Sequence, residues 1–219
     1  KLGTWSELEF FNQGEGWSYQ WKSKNNSINI SYKNKEQGCL TWELIGDHNA
    51  SNALGAIAAA NHVGIPISKS IEALKLFKGV KRRLEKIGVY KDNIIIYDDF
   101  AHHPSAIKST LDGMKKIQKK GRIIAVIEPR SNTMKQGNMK KDLQESLSSA
   151  DVVYCYKNNL NWDPAKLFKN IHKVKVSGST QWILKSILDD KKPNDQIVFM
   201  SNGDFSGIQK KCLDFFKNE

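Results

Sequence analysis

Ile94-Ile95-Ile96-Tyr97-Asp98-Asp99-Phe100-Ala101-His102-His103-Pro104 decides how the rest of the chain is read. An unbroken apolar run without alternation is the mark of a strand covered on both faces. Pro104 suits the first turn of a helix, where its missing N–H would have no partner anyway. The same texture returns downstream. Ile123-Ile124-Ala125-Val126-Ile127 runs into Glu128-Pro129-Arg130-Ser131-Asn132-Thr133-Met134-Lys135, and Ile197-Val198-Phe199-Met200 into Ser201-Asn202-Gly203-Asp204-Phe205-Ser206-Gly207. Val152-Val153-Tyr154-Cys155 and Val174-Lys175-Val176 supply two more strands. Helical patterns near 104–118, 138–148, 179–189 and 206–217 separate them. Such alternation predicts a doubly wound α/β domain, whose ligands bind beyond the carboxyl ends of the strands.

Upstream the period changes. In 46–78, Asp47 or Asn49 is placed to cap a helix through Asn52–Ala60, with Gly64 to end it and Pro66 after. Ser68 caps a second helix to Phe77, and Gly79 breaks the chain. Residues 1–45 are aromatic and polar. Short runs at Glu9–Phe11, Trp17–Trp21, Ile28–Tyr32 and Cys39–Leu44, with turns at Gly14, Gly16, Asn25-Asn26 and Gly38, predict an antiparallel meander. The expected division is 1–78 and 79–219, a strand-and-helix portion followed by a Rossmann-like doubly wound domain.

The 219 residues carry a net charge of +11, which invites a nucleic-acid reading. Its make-up weakens that reading. Of 34 basic residues only Arg82, Arg83, Arg122 and Arg130 are arginine, and the lysines are scattered. Nucleic-acid sites lean on the planar arginine fork. Lys, Asn and Ile share A/T-rich codons, so the expectation is a solvated, codon-driven surface and no nucleic-acid partner. Cys39, Cys155 and Cys212 form no C-x-x-C, which predicts reduced thiols in a cytoplasm. No run approaches the ~20 apolar residues of a membrane span. The chain starts without Met or a signal-peptide core, and we expect it to be a piece of something longer.

Polar residues crowd the strand ends, where a bland loop is always one explanation. A carboxylate at Asp98 or Asp99 suits ribose hydroxyls, Phe100 a base, and a histidine ribose or phosphate. Adjacent histidines in extended chain point to opposite sides, which argues against a metal site there. Arg130 offers a fork for a carboxylate, with Ser131 and Thr133 adding hydroxyls or capping a helix. Arg82-Arg83 is either an exposed charge pair or a clamp for phosphate or adenine. Asn49 and Asn52, three apart, share one helix face and suit a purine edge; as helix caps they need no ligand.

Four strings, Gly46–Leu54, Val80–Glu85, Tyr97–Pro104 and Glu128–Lys135, together resemble the Mur ligase family, the ATP-dependent amide ligases of peptidoglycan assembly. Order and spacing agree from about residue 5 onward. The last string and Phe100 resemble the peptide-recycling branch rather than the branch that adds L-alanine. The resemblance implies residues 1–78 as the end of a central ATPase domain and 79–219 as a C-terminal substrate domain. It implies a cytoplasmic enzyme joining UDP-N-acetylmuramate to L-alanyl-γ-D-glutamyl-meso-diaminopimelate through an acyl phosphate, with ATP and Mg²⁺. No G-x-x-x-x-G-K-[ST] occurs in the chain, so the phosphate loop and the Mg²⁺ ligands are expected upstream, and this portion alone should not catalyse.

By the same resemblance, Asn49 and Asn52 would meet adenine, and Arg82 or Arg83 adenine or phosphate. Asp99 would bind ribose, with Phe100 and His102 near the nucleoside. Arg130, Ser131, Asn132 and Thr133 would bind the tripeptide, joined by Asn202 and Asp204. No metal ligand and no catalytic residue is assigned within the chain. The alternatives are an L-alanine-adding Mur ligase, a basic nucleic-acid-binding module and a nucleotide-binding regulatory domain.

Overall fold

A computed structural model of the chain describes residues 5, 8–12, 15–22, 27–44, 46–118 and 120–217. The chain divides into two compact units, Lys1–Gly79 and Val80–Glu219.

In the first unit, β1 (Trp17–Lys22), β2 (Ser27–Tyr32) and β3 (Lys35–Thr41) form an antiparallel sheet in that order. The β2–β3 turn falls on Lys33-Asn34, both left-handed (φ 50 and 61), the conformation a two-residue hairpin turn needs. Gly38, expected to make a turn, lies inside β3 instead. The register slips there, with Ile30 opposite Gly38 and Ser31 opposite Glu36, a bulge that leaves Gln37 over. Phe11 makes a single parallel bridge to Trp17 rather than a fourth strand. The turns expected at Gly14 and Asn25-Asn26 lie outside the described residues.

Two helices follow, α1 (Asp47–His62) and α2 (Ile67–Lys75). Gly46, not Asp47 or Asn49, precedes the first turn of α1, and no side chain caps it. Asp47 instead accepts from Trp21 Nε1 at 2.7 Å. Gly64 ends α1 as expected: its φ is +87, with Gly64 N–H on Asn61 O and Ile65 N–H on Ala60 O. Pro66, not Ser68, stands before α2. Trp17, Ile28, Ile30 and Leu40 close a core with Leu54, Ile57 and Ile71 from the helices.

The second unit holds a six-stranded sheet. Its elements are β4 (Glu85–Tyr90), β5 (Ile94–Asp99), α3 (Pro104–Ile117), β6 (Ile123–Ile127), α4 (Asn132–Gln136), α5 (Lys140–Ser146), β7 (Val152–Tyr156), α6 (Pro164–Leu167), β8 (Val174–Ser177), α7 (Thr180–Asp190), β9 (Gln196–Met200) and α8 (Ile208–Lys217). The strand order is β4-β5-β9-β6-β7-β8, parallel except for β4. β4 is the one strand the sequence hid. Glu85-Lys86-Ile87-Gly88-Val89-Tyr90 is charged and glycine-bearing, which suits an antiparallel sheet edge and reads as loop.

Alternation sorts the two faces. Ile124 and Val126 join Ile197, Phe199, Ile183 and Ile208 in one core, under α7 and α8. Buried Ile107, Leu111 and Met114 of α3 pack on the other side with α5 and β6. β9 returns between β5 and β6, and this reversal places three carboxyl ends side by side.

The opposite, amino end of the sheet is closed by ion pairs. Fully buried Asp195 accepts from Arg122 Nη2 at 2.7 Å, Arg122 Nε at 3.1 Å and Lys192 N at 2.8 Å. Arg122 Nη1 reaches Asp190 at 3.0 Å, and these partners hold the guanidinium firmly charged. Lys173 Nζ donates to the Leu147, Ser148 and Ala150 carbonyls at 2.8–2.9 Å. Among the described residues no helix is long and apolar enough to cross a membrane.

Candidate functional site

The polar residues beyond β5, β9 and β6 lie together in the second unit. Ser201 N–H donates to Asp99 O at 3.1 Å and Glu128 N–H to Met200 O at 3.0 Å, so the three strand ends stay in register past the sheet.

Asp99 is 4% exposed. Its oxygens accept from Leu84 N at 2.6 Å and Ala101 N at 2.7 Å, with Thr110 Oγ1 at 3.5 Å. A buried carboxylate ringed by backbone donors is a fastener for two turns. Asp99, expected to bind ribose, has both carboxylate oxygens already accepting from backbone N–H groups of Leu84 and Ala101. Its neighbour Asp98 faces Arg82 Nε at 3.3 Å and Gln209 Nε2 at 3.3 Å.

The two adjacent arginines separate. Arg82 is half-buried, and its Nη2 donates to Ser201 O at 2.5 Å and Gly203 O at 2.6 Å. Its backbone is left-handed (φ 58), held by Arg82 N–H on Glu85 Oε2 at 2.9 Å and by Phe100 N–H on Arg82 O at 2.7 Å. A bulky residue stays in that region only when its surroundings over-determine it. Arg82 ties the turn before β4 to the loop after β9. Arg83 is exposed, with its guanidinium 5.6 Å from the Phe100 ring centre; Arg82 lies 5.4 Å from the same ring. His102 stands edge-on to Phe100, with Nδ1 2.9 Å from Phe100 O. His103 caps α3 by accepting from Ser105 N, and Pro104 sits in its first turn as expected.

At β6, Arg130 lies over the β9 loop. A Cβ on Gly203 would collide with the Arg130 guanidinium, so the absence of a side chain there lets the arginine lie flat. Arg130 Nη1 is 3.5 Å from Asp204, and both side chains are largely exposed. Asn202 is half-buried, and its Oδ1 is buried without a donor. Ser131 caps α4 by accepting from Met134 N at 3.4 Å, and Asn132 and Thr133 are exposed on that short helix. Asn49 and Asn52 belong to the first unit, half-buried and exposed on the opening turns of α1.

Sequence reasoning passed over two residues. Glu128 is 4% exposed and Ser201 0%, and Ser201 Oγ donates to Glu128 Oε2 at 2.5 Å. Their positions, first after two apolar strands, were the available signal. Elsewhere burial alone pushes the Cys155 and Cys212 thiols up to about 12. Among the described residues no three His, Cys, Asp or Glu side chains come together as metal ligands.

Comparison with known proteins adds a family. The model described as Mur ligase, glutamate ligase domain, matches residues 82–203. The chain is 37% identical, over 99% of its length, to the UDP-N-acetylmuramate–L-alanyl-γ-D-glutamyl-meso-2,6-diaminoheptandioate ligase of Haemophilus influenzae, covering 48% of that protein. It is 38% identical to the ligase of the same name from Escherichia coli, over 97% of this chain and 47% of that one. The chain thus spans about half the length of the curated relatives it matches. A crystal structure of a murein peptide ligase from Psychrobacter arcticus superposes with a TM-score of 0.64 at 38% identity, covering 93% of this chain and 44% of that one.

Proposed function

The chain belongs to the Mur ligase family, and from that premise we propose that it serves an ATP-dependent amide ligase joining UDP-N-acetylmuramate to L-alanyl-γ-D-glutamyl-meso-diaminopimelate. The observation that carries this is 37–38% identity, over nearly the whole chain, to two ligases named for that reaction.

A carboxylate is a poor electrophile. Phosphorylation of the muramate carboxylate by ATP turns it into an acyl phosphate. The tripeptide amine attacks, and the tetrahedral intermediate collapses to amide and phosphate, with ADP left from the first step. The protein's contribution is positioning and charge neutralisation. Exposed Arg83 and the Phe100 face are the groups we assign to the nucleotide, with His102 beside them. Arg82 and Asp99 hold the turn that carries them. Asn49 and Asn52 in the first unit are assigned to adenine.

Arg130, exposed and hydrogen-bonded only loosely to Asp204, is assigned to a tripeptide carboxylate, with Ser131, Asn132, Thr133 and Asn202 around it. None of these residues is assigned to Mg²⁺. ATP and the UDP-sugar are cytoplasmic metabolites, which sets the proposed location.

The test is ADP release by the full-length protein given UDP-N-acetylmuramate, ATP and either tripeptide or L-alanine. Turnover with the tripeptide and none with L-alanine is expected. Turnover with L-alanine would move the chain to the L-alanine-adding branch, and turnover with neither would defeat the ligase reading.

A further inference from the structure

On the ligase reading just given, we propose that Glu128 is an ammonium-binding residue, whose carboxylate at the end of β6 takes a primary ammonium group of the peptide acceptor. Glu128 is 4% exposed and lines a narrow recess with His102, Ile107, Met134 and Met200. Ser201 Oγ holds one of its oxygens at 2.5 Å, and Ser201 Oγ itself accepts from Gly203 N at 2.9 Å. Among the described residues no cation and no second donor reaches the carboxylate. Burying a carboxylate is costly unless it is paired, and one hydroxyl is a meagre partner.

Asp99 shows what a carboxylate held as a fastener looks like two strands over, beyond β9. Both its oxygens receive backbone N–H groups. Glu128 has no such ring of donors. The rest of the recess deepens the imbalance. Phe100 O can only accept, so His102 Nδ1 carries the hydrogen and donates it there, turned away from the carboxylate. In the adjoining loop, Asn202 Oδ1 is buried without a donor. An ammonium supplies three donors and a full positive charge.

The peptide acceptor brings such groups together with carboxylates. Glu128 and Arg130, two residues apart with Pro129 between, offer the opposite charges an amino-acid head requires. The recess is tight as it stands. Two of its walls are methionines, whose unbranched thioether chains move aside at small cost.

The experiment compares two acceptors on the full-length enzyme, wild type and Glu128→Gln. One is the tripeptide; the other is the same peptide with the distal amine of diaminopimelate replaced by hydrogen. If the distal ammonium sits on Glu128, the wild type prefers the aminated peptide by roughly 30-fold or more in kcat/KM, the scale of a desolvated charge pair. Glu128→Gln then shrinks the preference to within roughly 3-fold, with the KM for ATP unchanged. If the attacking amine is the one bound, the wild type shows no preference, and Glu128→Gln lowers kcat for both peptides and shifts the acidic limb of the pH profile.

Should Glu128→Gln fail to fold, Glu128→Asp, which keeps the charge but withdraws it, still has to weaken peptide use without touching the KM for ATP. Glu128 is overturned as an ammonium site if its variants keep wild-type discrimination and pH profile, or if ATP and peptide constants fall together with thermal stability. A wild type without peptide-dependent ADP release defeats the ligase reading instead.

Discussion

The two ends of the six-stranded sheet both carry arginine facing acids, and they use them in opposite ways. At the amino end, Arg122 is held by Asp195 and Asp190, and Lys173 by three carbonyls. Every one of those donors closes a gap in the protein itself. At the carboxyl end, Arg82 is tied down by Asp98 and two carbonyls, but Arg83 is exposed, Arg130 is 3.5 Å from an 85%-exposed Asp204 side chain, and Glu128 has one hydroxyl. A charge matched within the fold supports stability, whereas one left half-matched is free for a ligand. Charge type alone does not separate the two; the partner does.

Breaking the closed end should have the largest effect. Asp195→Ala leaves Asp190 alone to hold the Arg122 guanidinium and takes the acceptor from Lys192 N, and it should lower stability by about 3 kcal/mol, read as a fall in the thermal midpoint of roughly 6–12 °C. The ratio of peptide to ATP kinetic constants should not move in whatever enzyme stays folded. Asp99→Ala tests a fastener at the open end. Two buried N–H groups lose their acceptor, so about 2 kcal/mol of stability should go, and the KM for ATP should rise because the turn bearing Arg83 and Phe100 loosens. A normal midpoint with a raised KM would return Asp99 to direct nucleotide contact.

Arg130→Ala should reverse the pattern. Chemical denaturation should change by less than about 0.5 kcal/mol, since the pair with Asp204 is exposed. The KM for tripeptide should rise by roughly 30-fold while that for ATP holds. Gly203→Ala should act in the same direction and more weakly, because the new methyl pushes the Arg130 side chain aside but leaves its charge in place.

The smallest effect is a pH effect. Hydrogen bonds from Ser149 and then Lys108 hold the Asp112 carboxyl below its usual range. A lowered folded value means that stability is present above the ordinary carboxylate range and is lost as pH falls through the lowered value. Asp112→Asn should therefore narrow the stability difference between neutral and acid solution slightly, and titrated melting curves would detect it.

Much of the second unit could be read directly. Unbroken runs such as Ile123–Ile127 admit few readings other than buried parallel strands, and Pro104 and Gly64 act at single, local positions. β4 was missed because an edge strand needs charge and glycine, the same composition as a loop. The Lys33-Asn34 turn was missed because neither residue is a strong signal for a left-handed pair, and Gly38 drew attention one strand too far on. Arg82 and Arg83 could be flagged but not told apart, being identical neighbours. Nothing in the Glu128–Lys135 stretch marks Glu128 apart from its neighbours, since burial is invisible in one dimension.

The sequence by itself determined the alternation of strands and helices, where the polar strand ends fall and which family the strings resemble. All of these are local or depend on order along the chain. Only the tertiary structure decided that β9 returns between β5 and β6, and therefore that Ser201 meets Glu128 and Arg82 reaches Gly203. Those pairs lie 73 and 121 residues apart. The physical reason is that a carboxylate or a guanidinium has no fixed meaning alone. What it does is set by which donors and acceptors the fold brings within 3 Å and by how much water the packing leaves around it.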